Sequence, residues 1–146
     1  MEGVIIKELS QFHDDRGWLV EIFREDEIDF RPAMMYVSMS KPGISRGPHE
    51  HLYQSDYFCF FGDFRLYLWD NRKDSPTYQQ QMTFDTRGKL HIAIVPPNVV
   101  HGYKNTGKTE GLVLNIPDSL YRGKGKIQPV DEIRYEGDPN APFRIE

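Results

Sequence analysis

The chain predicts an all-β fold, a sandwich or barrel of which the jelly roll is one form. Short apolar segments rich in Val, Ile, Phe and Tyr recur at near-regular spacing, each bounded by Gly, Pro, Asn or Asp. No window keeps a helical period over three turns. With 146 residues, 38% hydrophobic and 13% aromatic, there is apolar surface enough to build the core of one domain, and no run approaches a membrane span.

Taken in order, Val4-Ile5-Ile6 is a short strand, and FHDDRG is a turn leading into a strand over Trp18–Phe23. Ala33–Ser40 reads as a strand stopped by Lys41-Pro42-Gly43. Tyr57–Phe61 and Arg65–Trp69 flank Gly62-Asp63 and predict a hairpin, because both arms are apolar and the turn has two residues. Tyr78–Phe84, then Leu90–Val95 after Arg87-Gly88, then Val99–Tyr103 and Gly111–Ile116 complete the set. In Leu90–Val95 the alternation puts Leu90, Ile92 and Ile94 on the core face and points His91 outward. The barrel strands are thus expected within residues 1–116, and the polar, Gly- and Pro-rich residues 117–146 as an arm that wraps the barrel, covers a pocket or contacts another subunit.

Bulk charge narrows the function classes. A net charge of −4 with mixed signs gives no basic stripe for nucleic acid. Nothing reads as a signal peptide or a membrane anchor, and the lone Cys59 fits a reducing compartment, so a cytoplasmic location is expected. An anionic ligand would have to be held by a local cluster of arginines.

Two segments carry the chemistry. GISRGPHEH holds His49 and His51, whose i, i+2 spacing puts both side chains on one face of a strand, and PPNVVHGYKN holds His101 between turn signals. Three neutral imidazoles with a carboxylate such as Asp56 would suit one divalent transition metal, so His49, His51, Asp56 and His101 form one candidate site. Gly43, His49, His51 and Gly62, followed by Pro96, His101 and Asn105, resemble the two motifs of the cupin superfamily. Asp56 stands where metal-binding cupins usually place a glutamate, and Asn98 replaces a glycine.

A closer resemblance runs through most of the chain in order. FHDDRGWLVEIFRED, GISRGPHEH, GDFRLYLWDNRKDSPTY, PPNVVHGYKN and YEGDP resemble successive motifs of the dTDP-4-dehydrorhamnose 3,5-epimerase family. The resemblance implies a cupin jelly roll without a metal or other cofactor, usually a homodimer, acting on a nucleotide-linked 4-keto-6-deoxyhexose. It implies His49 as the base and Tyr121 as the acid on the opposite face, Arg16 and Arg46 as pyrophosphate ligands and Glu21 as a partner of the thymine. Arg24 and Arg72 add charge, and His101 lies among the substrate-binding residues. Departures are equally specific. The family lysine that steadies the enolate has no counterpart around Ser55 and Asp56, and no aspartate follows the YEGDP segment to pair with the base. His51 replaces a glutamine, as in the related dTDP-sugar 3,4-ketoisomerases, where two such histidines share the proton shuttling. The chemistry expected from both resemblances is proton abstraction next to a ketone, with a metal-dependent enzyme or a non-catalytic sugar-nucleotide binder as alternatives.

Overall fold

A computed structural model describes residues 1–146. Twelve strands follow in chain order: β1 Ile5–Glu8, β2 Gln11–Asp14, β3 Gly17–Val20, β4 Tyr36–Ser40, β5 Ser45–Glu50, β6 Asp56–Phe61, β7 Phe64–Asp70, β8 Gln81–Asp85, β9 His91–Val95, β10 Val99–Asn105, β11 Gly111–Asn115 and β12 Ile133–Arg134. One five-stranded sheet has the order β1-β9-β6-β11-β4 and the other the order β12-β5-β10-β7-β8, while β2 and β3 form a separate hairpin. All pairings are antiparallel. The jelly-roll sandwich expected from the sequence is present. No helix is long and apolar enough to cross a membrane.

Three apolar layers result. Phe58, Phe60, Phe64, Leu66, Leu68, Ala93, Val95, Val99, Tyr103 and Val113 fill the space between the sheets. Tyr57, Cys59, Ile92 and Ile94 project from the back of the first sheet and are covered by Leu9, Ile22, Phe23, Ile28 and Phe30. Tyr67, Trp69 and Val100 do the same on the second sheet beneath Tyr135, Phe143 and Ile145 of the C-terminal arm. Each terminal segment therefore stabilises the fold by burying one outer sheet face.

This double covering explains where the fold departs from simple alternation. His91 is buried, not outward: it shares the inner face with Ala93 and Val95, packs edge-on against Phe84 at 4.8 Å, and donates from Nδ1 to the Lys89 carbonyl at 3.2 Å. Ile92 and Ile94 face the N-terminal cover instead. The expected β6–β7 hairpin also does not form. β6 pairs with β9 and β11, β7 pairs with β10 and β8, and Gly62-Asp63 crosses between the sheets. A two-residue turn selects a hairpin only when one arm has no better partner, and here both arms are buried on both faces. Residues 12–14, expected as part of the FHDDRG turn, belong to β2, and the turn itself is Asp15-Arg16. The strand expected to reach Phe23 ends at Val20, because Ile22 and Phe23 turn onto the first sheet and the Ile22 carbonyl accepts the Tyr57 hydroxyl at 2.6 Å.

The SPTY segment is a clamp. The buried Asp70 carboxylate accepts hydrogen bonds from Arg72 Nε at 2.8 Å, Ser75 Oγ at 2.6 Å and Thr77 Oγ1 at 2.5 Å, and Arg72 reaches on to the Glu2 carbonyl at 2.7 Å. Arg72 is thereby committed to structure. Burial pushes the Asp70 carboxyl up, but the bonds from Arg72, Ser75 and Thr77 more than reverse this and hold it well below the ordinary carboxylate range. A depressed folded-state pKa means that stability is fully present above about pH 4 and is lost as pH falls. Thermal melts of wild type and Asp70→Asn from neutral to acid pH are expected to converge at the acid end; a constant gap would contradict this linkage.

Candidate active site

β5 and β10 set the geometry because two glycines let their backbones touch. Gly47 has φ +87°, and a Cβ there would lie 2.6 Å from the His101 carbonyl oxygen; one on Gly102 would lie 2.7 Å from the Arg46 carbonyl oxygen. The close approach places His49 and His101 as Cα partners with ring centroids 4.5 Å apart. His51 lies one residue past β5, its ring centroid 5.4 Å from that of His49. Asp56 enters from the facing sheet at the start of β6, so the cluster spans both sheets at one end of the sandwich.

Within the cluster two buried atoms, Asp56 Oδ2 and His101 Nε2, make no hydrogen bond, and the other polar contacts are fixed. Asp56 Oδ1 accepts Asn115 Nδ2 at 2.8 Å and Gln54 Nε2 at 2.9 Å, while Oδ2 lies 3.1 Å from both His51 Nε2 and His101 Nε2. The His101 Nδ1–H donates to the Val99 carbonyl at 2.9 Å, and the His51 Nδ1–H donates to the Asp131 carbonyl. Burial lowers the His51 pKa, but the Asp56 carboxylate and the Asp131 carbonyl outweigh it and raise the ring to about 9. Burial likewise raises Asp56, and the two imidazoles reverse it, holding the carboxyl well below its usual range. His49 is pushed strongly down by burial and by repulsion from His101 and His51, so it is a neutral imidazole able to accept a proton.

A cavity of about 1430 Å³ opens in front of His49. His49, His51, Arg46 and Tyr121 line it; Asp56 and His101 lie behind its wall. Arg46 is held by β4, the edge strand of the facing sheet, donating to the Met39 carbonyl at 2.9 Å and to Ser40 Oγ at 3.3 Å. Tyr121 is half exposed and enters from the arm, its backbone N–H bonded to Met34 Sδ at 3.1 Å. Arg16, Glu21 and Arg24, expected around the substrate, do not line the cavity. Arg16 pairs with Asp14 at 2.6 Å in the β2–β3 turn, and Arg24 bridges Glu21 and Asp26 at 3.2 and 2.7 Å. Local carboxylates in polar turns capture these guanidinium groups.

The arm supplies what the motifs did not reveal. β12 pairs with β5, matching Arg134 with His49, and puts Glu132 Oε1 3.9 Å from His49 Nε2. A carboxylate beside His49, expected to be lacking, thus comes from upstream of the YEGDP segment. Asp131 clasps the turn after His51, its carboxylate accepting the N–H groups of Leu52, Tyr53 and Gln54 at 2.8, 2.9 and 3.0 Å. Tyr36, whose hydroxyl accepts Asn115 Nδ2 at 2.9 Å, adds a phenol to the cavity, and burial pushes its pKa to about 12. The sequence signal for the arm is the i, i+2, i+4 spacing of Glu132, Arg134 and Glu136, all three of which line the cavity.

Comparison with known proteins agrees with this architecture. The family model described as dTDP-4-dehydrorhamnose 3,5-epimerase matches residues 1–128. The chain is 36% identical over 126 residues to the probable low-salt glycan biosynthesis epimerase Agl13 of Haloferax volcanii, an overlap covering 83% of this chain and 81% of that protein. It is 32% identical over 125 residues to the spore coat polysaccharide biosynthesis protein SpsL of Bacillus subtilis, covering 83% and 82%. The crystal structure of a dTDP sugar isomerase from Desulfovibrio desulfuricans G20 superposes with a TM-score of 0.82 at 27% identity, over 98% of this chain and 90% of that one. From the model match, the two relatives and the shared fold, the chain belongs to the dTDP-4-dehydrorhamnose 3,5-epimerase family.

Proposed function

We propose that this protein epimerises a nucleotide-linked 4-keto-6-deoxy sugar, of the dTDP type, for glycan or polysaccharide biosynthesis. The observation that carries the reading is a neutral histidine, His49, facing a cavity large enough for a sugar nucleotide, with Glu132 beside it and Tyr121 on the same cavity's lining. A carbon next to a ketone loses its proton to a base, the resulting enolate is held, and reprotonation from the opposite face inverts the centre. His49 takes the proton, and Glu132 stabilises the imidazolium so formed. Tyr121 delivers a proton from the arm side. Arg46 offers a guanidinium to the diphosphate, with its orientation already fixed by backbone.

Arg16, Glu21 and Arg24 lie on and just after the β2–β3 hairpin, which also exposes Phe12, Trp18 and Leu19. We assign them to the site of a second copy in a homodimer, since an exposed apolar hairpin next to polar ligands is suited to reaching a neighbour. A cytoplasmic location fits the lone, buried Cys59. Incubation with dTDP-4-keto-6-deoxyglucose in heavy water is expected to place deuterium next to the ketone. Absence of exchange at every position, with this and other nucleotide-linked keto sugars, would rule the reading out.

A further inference from the structure

We infer that Tyr36 is a catalytic residue whose hydroxyl donates the hydrogen bond that holds the enolate oxygen. The inference rests on the epimerase reading, which creates a negative charge that His49, Glu132 and Tyr121 do not meet. When His49 takes the proton, the electron pair of the C–H bond becomes the new C=C bond and the carbonyl π pair moves onto oxygen. The charge stays there until the carbon is reprotonated and the carbonyl reforms. A donor already aimed at that oxygen lowers the barrier in both directions, without giving up its own proton.

The direction of the Tyr36 hydroxyl follows from its neighbours. The Tyr57 backbone N–H donates to Asn115 Oδ1 at 3.2 Å, and this fixes which way the Asn115 amide is turned. One Nδ2 hydrogen then goes to Asp56 Oδ1 at 2.8 Å, and the other to the Tyr36 oxygen at 2.9 Å. Tyr36 is therefore an acceptor toward its own sheet. Its O–H makes no hydrogen bond within the protein and is left for the cavity, which Tyr36 and His49 both line. Tyr36, Asn115 and Asp56 lie on three neighbouring strands of one sheet, β4, β11 and β6, whereas His49 lies on β5 of the other. The phenol and the base thus reach the cavity from different sheets. An N–H donated into a hydroxyl oxygen polarises its O–H and makes it a stronger donor. Burial pushes the phenol up to about 12, so it keeps its proton while the reaction runs. Other donors on the lining are committed: Tyr135 gives its hydroxyl to Glu50 at 2.5 Å, Tyr103 is bonded to Ser38 Oγ at 3.0 Å, and Arg134 is paired with Glu132 at 2.7 Å. Lys126 also lines the cavity, but it sits on the exposed arm with no hydrogen bond to aim its ammonium group.

The test is Tyr36→Phe in the full chain, beside wild type and Lys126→Met. The substitution removes one oxygen from a half-exposed ring and leaves Asn115 its bond to Asp56, so the fold is not at risk. Turnover and deuterium uptake are measured with dTDP-4-keto-6-deoxyglucose in heavy water. In Tyr36→Phe, kcat is expected to fall by about 10²–10³-fold, the usual loss of one donor to a developing oxyanion, with KM close to that of wild type. Exchange and inversion are expected to fall by the same factor, because both pass through the enolate. A group that only returns the proton, as Tyr121 does, would lose inversion and keep exchange. Tyr36→Phe that exchanges at the wild-type rate, or whose loss lies in KM alone, overturns the assignment; so does exchange lost in Lys126→Met and kept in Tyr36→Phe. In each of these cases wild-type exchange leaves the epimerase reading intact, whereas wild type that exchanges with no nucleotide-linked keto sugar overturns both.

Discussion

Replacing His49 by alanine is expected to lower turnover of the keto sugar by about 10²–10⁴-fold, the usual contribution of a positioned base. Deuterium uptake next to the ketone should fall in parallel, since one step creates both signals. The fold should persist: the only carboxylate at ion-pair distance from His49 is Glu132, at 3.9 Å. Tyr121→Phe separates the two halves of the reaction. With His49 intact, the carbon still exchanges its proton with solvent by return from the same face, while inversion drops by a similar factor because the opposite face has lost its donor. Proton NMR in heavy water reads exchange and inversion in one tube. Equal loss of both signals in Tyr121→Phe would contradict a role confined to reprotonation, and full exchange in His49→Ala would remove it as the base.

Legibility in the sequence followed the range of the interactions. β9, β10 and β11 were placed nearly to the residue because their apolar alternation and their Gly, Pro and Asn boundaries are local. His91 and the β6–β7 turn were misread because the deciding contacts are distant: residues 9–30 cover one sheet face, and β9, β10 and β11 outcompete a hairpin. The same contrast holds at the site. His49 and His51 converge by a period of two, whereas Arg46, at an odd spacing, joins them through the register shift between β5 and β10. Glu132 reaches His49 only because β12 adds to β5, and a two-residue strand inside a polar arm has almost no pattern to detect. Arg16 and Glu21 are recognisable as family positions, yet in one chain Arg16 is paired with Asp14, and Glu21 with Arg24.

Removing Asp56 tests how much of the fold depends on the site itself. Asp56→Ala is expected to cost about 3–5 kcal/mol, the usual result of breaking a buried charged pair from one side. Four groups lose their partner at once: the Asn115 and Gln54 amides at 2.8 and 2.9 Å, and the two imidazoles at 3.1 Å. Two of the four, Asn115 and His101, have no water to replace it cheaply because they are fully buried, while Gln54 and His51 border the cavity. For a chain of this size such a loss lowers the melting temperature by about 6–20 °C. Asp85→Ala is the matched comparison. It also removes a bidentate carboxylate, bonded to Arg65 at 2.7 and 2.9 Å, but those side chains are 32% and 44% exposed. Water and salt screen that pair, so its removal should cost no more than about 1 kcal/mol. Urea unfolding of the two variants side by side therefore asks whether burial or hydrogen-bond count sets the energy. A similar cost for both would mean that the cluster contributes to chemistry alone; a several-fold larger cost for Asp56→Ala means that the site is also the joint between the two sheets.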